Sequence, residues 1–300
     1  MRPGLDLDRS AIRRGFARAA RRYDAAAVLQ REVARRMAER LDLVKAAPRR
    51  VLDLGCGTGA DFPLLGARYR EATLFGCDAS PAMLGRARGR GSWLRRLMPL
   101  LARAPALVCA DAQRLPLAAG SVGLAWSNLM LHWAADAGAV LREAHRVLET
   151  GGVLLFSTLG PDTLKELRAA FASADAAPHV HGFTDMHDLG DLLVAAGFAE
   201  PVMDMEMITL TYADLDALAD DLRASGAVNA AAGRRRGLTR PALWRQVRSA
   251  YEQIRRDGRL PASFEVIYGS AWKPEPRVAA DGRAIVRLDA LRRSGALQRP

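Results

Sequence analysis

The stretch Val51-Leu52-Asp53-Leu54-Gly55-Cys56-Gly57-Thr58-Gly59 constrains this chain more than any other. A short apolar run carrying Asp53 is followed by glycines at every second position. Glycine permits the positive φ values of a tight turn and lets a ligand come close to the backbone. A helix opening after the turn presents unpaired N–H groups to that ligand. The stretch also satisfies the loose dinucleotide pattern G-x-G-x-x-G/A, so by itself it promises a nucleotide-like ligand without saying which. Asp78 ends the next apolar run, 19 residues after Gly59, where a carboxylate accepts hydrogen bonds from both ribose hydroxyls.

The run at 50–55 is the first of seven with strand character, the others being 72–78, 105–111, 122–131, 151–159, 201–212 and 262–272. Helical patterning separates the first five, with Ser80 as an N-cap and Pro81 at the first helical position. Further helices are expected at 136–149, 161–175 and 184–196, the last ended by Gly197. Such alternation predicts an α/β fold: a doubly wound, mostly parallel seven-stranded sheet with helices on both faces. Residues 9–45 read as one helix preceding the sheet, with Phe16, Ala20, Val28, Val33, Met37 and Leu41 at helical spacing. This divides the chain into a helical segment over 1–45, a main domain over 46–276 and a basic tail over 277–300. Helical patterning at about 213–258 reads as an insertion before the last strand, a cap beside the sheet. A second insertion, 85–105, is basic and amphipathic and reads either as a helix packed on the domain with a solvated charged face or as a segment that touches a membrane or an acidic partner.

Charge bears on partners. The 44 Lys+Arg against 33 Asp+Glu give +11, nearly all from arginine. That balance fits either a compositional bias or an acidic partner drawn in at long range. No zinc-finger, RNP or basic-zipper pattern points to nucleic acid, and none is expected as a partner. The N-terminal stretch has no apolar h-region and no run is long enough to span a bilayer, so the expectation is a cytoplasmic protein without stable membrane insertion. Cys56, Cys77 and Cys109 lack paired spacing and are expected to be buried thiols.

After Asp111-Ala112 the segment "LPLAAGSVGLAWSN" leads into the fourth run, and "REAHRVLETGG" follows. With the DLGCGTG turn and Asp78, these stretches resemble the class I S-adenosylmethionine-dependent methyltransferases, in that family's order. The resemblance implies a Rossmann-like fold that binds S-adenosylmethionine. Gly55, Gly57 and Gly59 would approach its methionine part, whose amino group pairs with carbonyls and Asp53. Asp78 would hold the ribose, with Ala79 beside it. Asp111 and Ala112 would flank the adenine, and Ser127 and Asn128 would line the methyl-transfer pocket.

A narrower resemblance concerns the acceptor. Residues 16–37, 157–171 and 179–198 are similar to the malonyl-[acyl-carrier-protein] O-methyltransferases of biotin synthesis. That likeness implies a malonyl carboxylate as acceptor, an acidic acyl carrier protein as partner, and an N-terminal helix closing over the cofactor. Tyr23 is then a lid residue near the methionine carboxylate, or simply packs its helix. Arg146 and Arg168 are candidates to receive the acceptor carboxylate, although Arg146 equally fits a brace on its own helix. His132 and Trp133 are candidate pocket walls. Two other acceptors stay open. "FTDMHDLGDLLVAAGF" and "PASFEVIYGSAWKPE" also resemble complex I assembly factors that modify an arginine on a partner subunit, and a small free acid is a third. The triplet His179, His181 and His187 raises a metal site, but no carboxylate or cysteine spacing completes it, and no metal is expected. Oligomeric state is left open.

Overall fold

Seven strands form one sheet: β1 (Arg50–Leu54), β2 (Thr73–Asp78), β3 (Ala106–Cys109), β4 (Val122–Ser127), β5 (Leu148–Leu159), β6 (Ala199–Tyr212) and β7 (Leu260–Trp272). The computed structural model describes residues 6–90, 104–237 and 239–276. The tail 277–300 and residues 91–103 of the basic insertion lie outside the described residues. Strand order is β3-β2-β1-β4-β5-β7-β6, parallel through β5, with β7 antiparallel to both of its neighbours. The order reverses between β1 and β4, and in open α/β sheets ligands bind outside the carboxyl ends of strands at that switch point.

Period-two alternation sorts the central strands into two cores. Val51, Leu124, Trp126, Val153 and Leu155 face one side, against Val33 and Met37 of α3 (Val28–Arg40). Leu52, Leu54, Ala125, Leu154 and Phe156 face the other, against Val140, Leu141 and Ala144 of α6 (Ala137–Val147). Being buried on both faces, the strands read as continuous apolar runs.

The single helix expected over 9–45 is three: α1 (Arg9–Ala19), α2 (Tyr23–Ala26) and α3, followed by a 3₁₀ turn at Leu41–Leu43. Tertiary contacts outweigh the periodicity. Val33, Met37 and Leu41 anchor α3 in the core, whereas the breaks turn α2 toward the glycine turn, where Asp24 accepts from the Thr58 hydroxyl and pairs with Arg90. Helices α4 (Phe62–Arg68) and α5 (Pro81–Gly89) follow β1 and β2, and Ser80 caps α5 by accepting from Met83 N at 3.4 Å. Helices α7 (Lys165–Ala172) and α8 (Met186–Ala195) follow β5.

Between β6 and β7 the chain leaves the sheet as α9 (Leu215–Ala224) and α10 (Pro241–Glu252). This cap is fastened to the N-terminal helices. Asp8 pairs with Arg234 at 2.8 Å, and its N–H donates to Ala230 O at 2.8 Å. Gly15 brings α1 directly onto the loop after α9: a Cβ there would lie 2.9 Å from Val228. Gly15→Leu is therefore expected to lever α1 off the cap at a cost of about 1 kcal/mol or more. Trypsin cleavage within the arginine-rich 9–22 segment, followed by mass spectrometry, should speed up roughly fivefold while the urea midpoint of the sheet barely moves.

Candidate active site

A cavity of about 260 Å³ opens at the carboxyl ends of β1 and β4. The glycine turn forms its floor. Gly55 N and Cys56 N both donate to Cys77 O, at 2.7 and 3.0 Å, which ties the turn to β2. Gly55, Gly57 and Gly59 have φ of +82, +52 and +73°. At Gly57 a Cβ would meet nothing within 4 Å, so the backbone there faces open space. Gly59 serves differently. It does not line the cavity, and a Cβ would strike the Phe62 ring at 2.7 Å, so its role is to seat the turn on α4.

Three carboxylates lie beneath and beside this turn. Asp53 is 2% exposed and lies beneath the turn without lining the cavity, and its Oδ2 has no hydrogen-bond partner among the described residues. Burial pushes its carboxyl well above the usual range, and the charges of Asp61 and Asp78 add to the shift. Asp61 accepts from Trp126 Nε1 at 2.9 Å and Asn128 Nδ2 at 3.2 Å, yet burial still raises it. Asp78 accepts from Gly57 N at 3.0 Å and Ser80 N at 2.7 Å, and it too is raised by burial. Desolvated like charges are costly, and a cation brought among them relieves the cost. Asp78 is the member of this cluster that lines the cavity, which Arg9 and Arg13 line as well.

Tyr23 lines the cavity from α2, its phenol raised by burial and by Asp61, Asp78, Asp24 and Asp53, so it stays a donor. Asp111, Ala112 and Ala79 line the opposite side, with Asp111 paired to Arg9 of α1 and accepting from Gln113 N at 3.0 Å. Asn128 joins three elements: Nδ2 donates to Gln30 O of α3 at 3.0 Å as well as to Asp61, and Oδ1 accepts from Ser157 Oγ of β5 at 2.9 Å. Ser127 is 3% exposed, with its Oγ unpartnered, and does not line the cavity.

The acceptor-side candidates separate. Trp133 lines the cavity and packs edge-on to Phe16 at 5.3 Å. His132 is packed behind it, with Nδ1 3.3 Å from Thr158 Oγ1; burial lowers it well below the usual histidine range, so its ring is neutral. Arg146 does not reach the cavity. It donates to the Leu117 and Leu115 carbonyls at 2.8 and 3.0 Å and pairs with Glu143 at 2.8 Å, which makes it the brace of α6. Arg168 donates from Nη2 to Thr163 O at 3.2 Å, and its buried Nε has no partner.

The three histidines do not converge. His179 stacks on Phe171 at 3.8 Å and bonds Asp175, His181 is buried, and His187 is exposed at the start of α8 beside Asp185. Cys56 and Cys77 are buried, and burial pushes Cys77 up to about 12. Cys109 departs from the expectation of a buried thiol: it is exposed, because β3 is an edge strand and the cavity reaches its end. Asp61, Arg9 and Gln30 were not among the expected site residues. Asp61 stands two residues beyond Gly59, at a helix start where an aspartate ordinarily reads as a cap, yet its side chain makes no cap bond.

A family model described as a methyltransferase domain matches residues 52–156. A protein of Laribacter hongkongensis named malonyl-[acyl-carrier protein] O-methyltransferase is 56% identical over 284 residues, covering 94% of this chain and 96% of its own. One of the same name in Gallionella capsiferriformans is 52% identical over 281 residues, covering 94% and 96%. Among solved structures, the YcgJ protein of Bacillus subtilis superposes with a TM-score of 0.56 at 15% identity, covering 80% of this chain and 98% of that one, a likeness of fold.

The unpartnered carboxylate makes a testable demand on stability. A carboxyl raised in the folded state binds its proton more tightly there, so the wild type loses stability as pH rises from the ordinary carboxylate range through the raised one. Asp53→Asn removes that loss. The substitution should stabilise the ligand-free protein by about 1–3 kcal/mol at neutral pH, with the gain shrinking on acidification. Urea unfolding of both proteins across pH is the check.

Proposed function

This chain belongs to the malonyl-[acyl-carrier protein] O-methyltransferase family, and from that premise we propose that it methylates the free carboxylate of a malonyl thioester on acyl carrier protein, using S-adenosylmethionine, in an early step of biotin (pimeloyl) synthesis. The observation that supports the cofactor is the carboxylate cluster under the glycine turn, with Asp53 Oδ2 unpartnered. Such a cluster suits a ligand carrying positive charge on an amino group and a sulfonium. Both relatives reported above carry the carrier-protein name, which favours this acceptor over a protein arginine or a small free acid.

In this reading the backbone at Gly55 and Gly57 approaches the methionine part, and Asp53 answers its ammonium. Asp78 keeps free lone pairs for the ribose hydroxyls beyond the two N–H bonds it accepts. Asp111, Ala112 and Ala79 flank the adenine, and the Tyr23 hydroxyl donates to the methionine carboxylate. Asn128, tied to α3, β5 and Asp61, holds the floor of the transfer site.

When bound, S-adenosylmethionine supplies an electrophilic methyl on a charged sulfur, and transfer to a carboxylate oxygen leaves a neutral thioether and a neutral ester with no proton to move. A malonyl carboxylate is already ionised at neutral pH, so the chain needs no general base. A neutral, buried His132 agrees with that. What the protein contributes is orientation and exclusion of water, from Phe16 and Tyr23 on the lid and Trp133 on the sheet side. The excess of Lys and Arg, 44 against 33 acidic residues, suits an acidic carrier. No described helix is long and apolar enough to cross a membrane, and a cytoplasmic enzyme is part of the proposal.

The test is to incubate the protein with S-adenosylmethionine and malonyl-carrier and read the acyl group by mass spectrometry. A gain of one methylene unit is expected; no gain, with modification of a peptide arginine instead, would overturn the acceptor. Asp78→Ala should weaken cofactor affinity by about tenfold or more, since it removes a charged hydrogen-bond acceptor. Unchanged affinity by calorimetry would refute the pocket assignment.

A further inference from the structure

A second cavity, of about 220 Å³, lies between the sheet and the cap. Its walls are mostly apolar, with Leu167 and Phe171 from α7 and Leu218 and Ala219 from α9. Trp133 is the one described residue that lines both this cavity and the one above the glycine turn. Its ring is held on three sides, by Phe16 at 5.3 Å, His132 at 5.1 Å and His181 at 5.0 Å. It is the partition between the two spaces.

One polar atom in the second cavity is unanswered. His181, on the wall of this cavity, is 5% exposed, and its Nε2 has no hydrogen-bond partner among the described residues. Burial, together with the charge of Arg168, lowers it to about 4, so its ring is neutral and can carry one N–H. A buried donor without a partner costs the protein free energy unless a ligand answers it. The remaining lining, apolar apart from a few polar side chains such as His179, Arg223 and Asn229, suits an uncharged ligand that alternates methylene and amide groups. Arg223, the one cation among the described lining residues, is exposed and paired with Asp220, whereas an uncharged chain bearing a carbonyl fits both the apolar surface and the unpartnered His181.

We propose that this second cavity binds the thioester arm of the acceptor, with His181 Nε2 donating to a carbonyl oxygen of that arm, while the carboxylate at its tip passes Trp133 to the first cavity. The inference rests on the malonyl-thioester reading and adds where the arm lies and which residue positions it. The donor and acceptor then enter from opposite sides of Trp133. The lid helix α1 lines the first cavity through Ile12 and Phe16 and packs on the loop that lines the second at Val228.

The experiment compares three acceptors of increasing arm length: malonyl-N-acetylcysteamine, malonyl-pantetheine and malonyl-carrier. In the wild type, kcat/KM should rise by about tenfold or more from the shortest to malonyl-pantetheine. Ala219→Trp and Ala227→Trp each fill the cavity, from α9 and from the loop after it. Both should cut that gain below about threefold, and S-adenosylmethionine affinity by calorimetry, unchanged within about twofold, certifies the fold. His181→Ala should raise KM for malonyl-pantetheine by about tenfold with kcat little altered, and His181→Gln, which keeps a donor, should restore most of it. Direct calorimetric binding of malonyl-pantetheine to the wild type and to Ala219→Trp gives a second readout that needs no turnover. An undiminished arm-length gain in both tryptophan variants, or an unchanged KM in His181→Ala, would overturn the inference. A wild type that methylates none of the three acceptors would instead overturn the acceptor reading on which it rests.

Discussion

Three carboxylates crowded under a glycine turn are the constraint on which the rest of the structure depends. Asp53, Asp61 and Asp78 come from β1, from the start of α4 and from the end of β2, so the turn cannot form without gathering them. Their desolvation is unfavourable. It is tolerated because each is pinned by something rigid: Asp78 by the N–H groups of Gly57 and Ser80, Asp61 by the buried Trp126 and by Asn128, and Asp53 by its place in a central strand. Two apolar cores, one on each face of the sheet, supply the stability that offsets this local cost. A site that is unfavourable when empty favours the ligand that relieves it.

The N-terminal helices complete that arrangement instead of merely covering it. Asp24 binds Thr58 of the turn, Gln30 O receives Asn128, and Arg9 pairs with Asp111 at the far rim. These contacts join the lid to three different strand ends. Through Asp8 and Gly15 the same helices rest on the cap, so the cover of the first cavity adjoins the wall of the second. Trp133 stands where they meet.

Much of this was legible in the sequence because it is local. The seven strand runs, the Ser80-Pro81 helix start, the positive-φ turn and Asp78 follow from patterns a few residues long, whereas the rim positions Asp111 and Ala112 come from the family resemblance. What sequence could not show is spatial. The apolar alternation of 201–212 and 262–272 reads as two strands, but not that β7 slots antiparallel between β5 and β6. Helical spacing over 9–45 is blind to the breaks around Arg22 and Ala27, which exist only because α2 must meet the turn. Nothing in the sequence separates Asp61 from an ordinary helix start, and Arg146, which fits an acceptor-binding cation or a brace equally in sequence, is a brace because the Leu115 and Leu117 carbonyls accept from it. The pairing of His181 with an apolar cavity has no sequence signature.

Calorimetry of S-adenosylmethionine binding in buffers of different ionisation enthalpy tests the carboxylate cluster most directly. A cation entering the cluster should lower the raised carboxyls and expel the proton they hold. Net proton release is therefore expected above the ordinary carboxylate range, where the raised carboxyls still hold a proton, fading as pH rises further, with affinity tightening over the same interval. Proton-neutral binding of constant affinity across that range would contradict it.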